Sequence, residues 1–138
     1  MYRLTLRSLP ALVAVLALAA CGDDFETPTA PTEPTIITET FSGTVTPRGA
    51  QSHAFATQAS GAVTATLKLL VPDPAVPMGF ALGTWNGSSC SLVIAKTDAV
   101  ASTVITGAVS ALGSLCVYIH DVGNLRAPTD YEIEVLHP

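Results

Sequence analysis

Three histidines, scattered serines and a pair of glutamates are the side chains of this sequence suited to acid–base or nucleophilic chemistry, and their spacing argues against both. His120 and Asp121 are adjacent, and neighbours on a strand point to opposite faces, so they make no dyad. His53 stands alone, and His137, the penultimate residue, is expected to move with the chain terminus. No Gly-x-Ser-x-Gly or other nucleophile elbow sets up a serine. Glu132 and Glu134 are two apart, which on a strand gives one solvated face. The sequence therefore reads as a protein without catalytic residues.

Binding has one candidate. Trp85, the only tryptophan, precedes an Asn86-Gly87 turn. Alternation from Met78 to Trp85 sets Met78, Phe80, Leu82 and Thr84 on one face and Gly79, Ala81, Gly83 and Trp85 on the other. On one reading Trp85 and Asn86 form a shallow ligand-binding shelf for a sugar or a partner's side chain. On the other the indole folds over the strip left by Gly79 and Gly83, as aromatic cover of strand glycines does. Asn86-Gly87-Ser88 also matches a glycosylation acceptor, with the turn as its plainer role.

Composition narrows the classes. Of 138 residues 49% are hydrophobic and only 12% charged, six basic against eleven acidic. A nucleic-acid surface needs dense positive charge and a disordered polyelectrolyte needs dense charge of either sign, so neither fits. The apolar excess is uneven. Arg3 and Arg7 precede an uncharged run from Pro10 to Ala20 that ends in small residues, the parts of a secretory signal peptide. That run is shorter than the ~20 residues that span a bilayer.

Leu18-Ala19-Ala20-Cys21 resembles the lipobox of bacterial lipoproteins. The resemblance implies cleavage after residue 20, a diacylglycerol on the Cys21 thiol, and a place on the bacterial cell envelope. Gly22, not Asp, follows the cysteine, which favours the outer over the inner membrane in a Gram-negative cell. The alternative is a plain signal peptide cut near Ala20. Each buried acyl CH₂ contributes ~0.8 kcal/mol, and two or more chains hold where one does not. Loss of residues 1–20 leaves four basic against eleven acidic residues, a net −7. Such a surface does not adhere to anionic headgroups, so the lipid is the membrane partner.

From Gly22 to about Thr38, Pro28, Pro31 and Pro34 recur among Thr and Glu. Proline disfavours helix and favours an extended spacer, whose 17 residues reach up to ~50 Å in polyproline II geometry. Simple disorder is the other reading; either way residues 21–38 are a linker. Residues 39–138 carry a strand period. Val63, Ala65, Leu67 and Leu69 share a face, as do Leu115, Val117 and Ile119, and Tyr131, Ile133 and Val135. Phe41, Gly43 and Val45 form another set, and His53, Phe55 and Thr57 another. Turn signals separate them at Pro47-Arg48-Gly49, Ser60-Gly61, Pro72-Asp73-Pro74, Asn86-Gly87, Leu112-Gly113 and Gly123-Asn124. Asp98–Thr106 opens with helix-forming alanines and ends in the β-branched run Thr103–Thr106; we read it as strand. Seven or eight short strands at this spacing predict an all-β antiparallel sandwich.

With Cys21 given to lipid, Cys90 and Cys116 remain, and an even pair in an oxidising compartment predicts a disulfide. The alternatives are a metal pair or a reactive thiol. Zinc needs four ligands, and no Cys-x₂-Cys or His-x₃-His spacing accompanies these two. No metal or other cofactor is expected.

Phe41-Ser42-Gly43-Thr44-Val45-Thr46-Pro47 with His53-Ala54-Phe55 resembles the opening hairpin of the bacterial pre-peptidase C-terminal domain. Leu115–Asn124 and Tyr131–Val135 resemble its closing strands. The likeness covers residues 39–138 and implies a jelly-roll-like sandwich, a non-catalytic module appended to exported enzymes. His53 stands where an inward Tyr is common, and no peptidase precedes the domain in this sequence; the second departure puts a link to proteolysis in doubt. Some relatives bind calcium through clustered acidic loops, which this domain lacks. The expected function is protein interaction or structural display in the envelope. Binding of carbohydrate or another small ligand is the second reading, and inhibition of envelope proteases through the loop Val71–Pro77 a third.

Overall fold

The computed structural model describes residues 32–138; the expected signal peptide, Cys21 and most of the expected linker lie outside them. Eight strands follow in order: β1 (Ile37–Val45), β2 (Ala50–Thr57), β3 (Gly61–Val71), β4 (Met78–Trp85), β5 (Cys90–Ala99), β6 (Val104–Val109), β7 (Gly113–Asp121) and β8 (Thr129–His137). No helix occurs among the described residues. The strands form two antiparallel four-stranded sheets, β1-β8-β3-β6 and β2-β7-β4-β5. The predicted turns fall between strands, except that Gly61 and Gly113 are already the first residues of β3 and β7. A β-sandwich buries one face of each sheet, and the two-residue period supplies those faces. Val63, Ala65, Leu67, Phe80, Val117, Ile119, Tyr131, Ile133 and Val135 are buried in one core.

Several expectations shift. Pairing starts at Ile37 opposite His137, so Ile37 and Thr38 belong to the domain and not to the linker; β-branched side chains extend the ladder past the compositional boundary. In β3 the register against β8 slips between Leu67 and Leu69. A bulge reverses the phase of everything beyond it, so Leu69 faces solvent and Leu70 takes its place in the core. Asp98–Thr106 is not one strand. Asp98 and Ala99 end β5, Val100–Thr103 turn, and β6 begins at Val104. Ser102, at φ 73°, sits at the tip of that turn.

Cys90 and Cys116 are disulfide-bonded with their Cα atoms 5.8 Å apart. One is on β5 and the other on β7, with β4 between them. Two flat strand spacings come to ~10 Å, so the start of β5 must fold over the outer face of β4. Gly83 makes this possible. A Cβ there would lie 2.8 Å from the Ser91 carbonyl carbon and closer still to its oxygen. The bond thus straps β5 to β7 across a glycine.

Candidate functional site

Trp85 ends β4, paired with Cys90 and half-buried. The space beside Gly79 is filled by the His120 ring from β7, and that beside Gly83 by the Ser91 backbone. The strip is therefore not empty: the cross-strand histidine and the folded-over strand occupy it. Thr84, expected in the core set, is exposed where β4 ends. Asn86 is engaged in its own turn: Oδ1 accepts from the Ser88 and Ser89 amides at 3.0 and 2.8 Å, and Nδ2 donates to Ser89 Oγ at 2.9 Å. This is an Asx turn, which fixes the loop between β4 and β5.

The histidines separate. His120 lies on the outer face, its ring 5.2 Å from Tyr118 and its Nδ1 buried without a hydrogen-bond partner. Asp121 caps the loop that follows. Its Oδ1 accepts from the amides of Gly123, Asn124 and Leu125, and its Oδ2 from that of Arg48. Desolvation pushes its carboxyl up, but these four donors outweigh it and hold the group below the usual carboxylate range. No dyad forms with His120.

His53 and His137 both lie in the side of the sandwich where edge strands β1 and β2 face each other. His137, expected to move with the terminus, is only 1% exposed. It continues the inward alternation of Tyr131, Ile133 and Val135, packs 5.0 Å from Phe55, and places Nε2 2.9 Å from Glu39 Oε1. His53 stacks on Phe41 at 5.0 Å and 14°, and its Nε2 lies 2.6 Å from the Tyr131 hydroxyl. Burial holds His53 below its ordinary value and pushes Tyr131 up to about 12. Gly43 opposite Tyr131 gives the phenol room, since a Cβ would sit 2.7 Å from its oxygen. Sequence reasoning left Glu39 and this seam unseen; the period running on to residue 137 was the available signal.

At the opposite side, between edge strands β5 and β6, the sandwich stays open. A cleft of about 140 Å³ enters the core there, lined by Val63, Leu82, Ile94, Gly107, Val109 and Leu115 among others. At its wall the Leu82 and Ile94 side chains approach Gly107, to 3.0 and 3.3 Å from where a Cβ would stand, and β5 shifts register between the partners of Leu82 and Gly83. Beside the mouth, Leu92 is 46% and Val93 71% exposed. A second hollow, about 290 Å³, lies at the loops and is lined by Pro72, Asp73, Asn124 and Arg126. Two of its polar groups are internally used: Asp73 Oδ1 accepts from the Ala75 amide, and Asn124 Nδ2 donates to the Pro77 carbonyl. Among the described residues no three His, Cys, Asp or Glu side chains gather as metal ligands.

No protein-family model matches the chain, and no curated protein matches it.

Proposed function

We propose that this protein is a non-catalytic, lipid-anchored β-sandwich module that binds a protein partner in the bacterial cell envelope. The observation that carries the reading is the open β5–β6 side, where an apolar cleft and the exposed Leu92 and Val93 adjoin. Apolar surface grouped around a concavity is the character of a protein-binding patch. The surroundings of the histidines support a module without catalysis, since two are packed into the seam and the third over Gly79. The strand order supports a jelly-roll-like sandwich, in keeping with the resemblance to pre-peptidase C-terminal domains. Anchoring rests on the lipobox-like residues 18–21. The disulfide fits an oxidising compartment. Carbohydrate binding at Trp85 is the second reading, supported by an indole that is half exposed beside a rigid turn.

Two measurements test it. Cys21→Ser is expected to move the protein from the detergent phase to the aqueous phase; quantitative retention in detergent defeats the lipid anchor. A photo-crosslinking residue at position 93 is expected to yield one discrete adduct with an envelope protein, and the same residue at position 85 none. Val93→Glu should weaken that partner's binding by about 30-fold, the size of a central contact, with little change in Tm. Adducts at 85 alone, or a glycan-array signal lost in Trp85→Ala, would favour the sugar-binding reading instead.

A further inference from the structure

The two histidines of the β1–β2 seam have opposite surroundings. His137 faces a carboxylate, Glu39, the one acidic side chain of β1. His53 faces none. Against it lie Phe41 from β1 and the Tyr131 hydroxyl from β8, and its neighbour on β7 is Val117. The acids of β8, Asp130, Glu132 and Glu134, alternate with the buried Tyr131, Ile133 and Val135 and so point outward. β2 has no charged residue. On β7, Asp121 is held by loop amides and His120 lies on the outer face.

Tyr131 is protonated over the whole physiological range, because burial pushes it up to about 12. The 2.6 Å bond joins its hydroxyl to His53 Nε2, and in the tautomer with a bare Nε2 the O–H donates to it. A proton on that nitrogen sets two donors against each other, and the phenol relieves this only by turning its hydrogen into a packed seam. It also leaves a half-buried cation with no counter-charge. We propose that the β1–β2 seam is an acid-opened latch: protonation of His53 parts the edges of the two sheets and exposes Phe41 and Phe55, while the half strapped by Cys90–Cys116 stays folded.

The direction follows from linkage. Folding holds His53 below the ordinary 6.5, so the open form binds the proton more tightly. The seam is at full strength above that value and loses it as pH falls below.

Hydrogen-exchange mass spectrometry of the intact exported protein at about pH 7.5 and about pH 5, corrected for intrinsic exchange, tests this. Peptides of β1 and β2 are expected to lose protection by about threefold or more in acid, with those of β4, β5 and β7 unchanged. His53→Gln, whose amide oxygen still accepts from Tyr131, should abolish the acid response, and His137→Gln should keep it. Equal loss over all strands, no loss, or an undiminished response in His53→Gln overturns the proposal. If His53→Gln does not fold, the wild-type pattern decides: selective loss in β1 and β2 upholds the latch, and uniform or absent loss rejects it.

Discussion

Gly83→Ala is expected to lower the unfolding free energy by about 3 kcal/mol, the upper end for a side chain forced into filled space. For a domain of this size that is a fall in Tm of roughly 12–24 °C. Gly83 does not have a positive φ, so the requirement is space. The atoms that a new methyl would meet belong to the Ser91 backbone, which cannot swing aside as a side chain can. Relief comes only by lifting the start of β5 off β4, and that carries Cys90 away from Cys116. Gly113→Ala is the control. No atom lies within 4 Å of a Cβ at Gly113, so that change should stay within about 0.5 kcal/mol of the parent. Equal Tm values for the two variants would show that β5 does not fold over β4 in this way.

Reduction of Cys90–Cys116 is expected to cost about 3.5 kcal/mol, from the loop entropy of cross-linking two residues 26 apart. Urea unfolding with and without reductant measures it, and a gain of two hydrogens in intact mass confirms that the bond was present. A shift below about 1 kcal/mol would mean that the strap adds little to a corner already held by its neighbours. The two changes should not add. Once the bond is gone β5 can lift, so Gly83→Ala in the reduced protein should cost less than in the oxidised one.

The architecture was legible where local chemistry decides it. Tyr131, Ile133 and Val135 read as an inward face because their spacing matches the pleat, and Pro47-Arg48-Gly49 or Asn86-Gly87 read as turns because of their backbone preferences. The two cysteines could be paired by count. What stayed hidden depends on residues far apart in the chain. A bulge at Lys68 is set by the register that β8 imposes, and it sends Leu69 outward. Gly83 was read as an empty strip under Trp85, whereas a glycine in a strand also marks close backbone approach, and here the approaching backbone is β5. The cleft has its walls on five strands, so no local pattern announces it. His137 was missed because chain ends usually fray, while this one continues the β8 ladder opposite Ile37.

That last pairing gives the domain a polarity. Ile37 enters beside His137, and Pro138 accepts a hydrogen bond from the Gln58 amide. Gly61 pairs with Val109 and Thr57 with Gly113, and Thr84 pairs with Leu115. The Asn86-Gly87 turn with Trp85 therefore lies at the same end as chain entry. The Pro47–Gly49 turn, the Pro72–Pro77 loop and the Asp121–Arg126 loop gather at the other end, joined by Asp121 to Gly49, Ala101 to Pro74 and Asn124 to Pro77. The tryptophan corner and the chain entry thus share one end of the domain, and the proline-rich loops form the other. A reporter or epitope fused after Pro138 would sit at the chain-entry end, the end that also carries the Asn86-Gly87 turn. One inserted at Arg48 would sit at the opposite end, beside the Asp121–Arg126 loop.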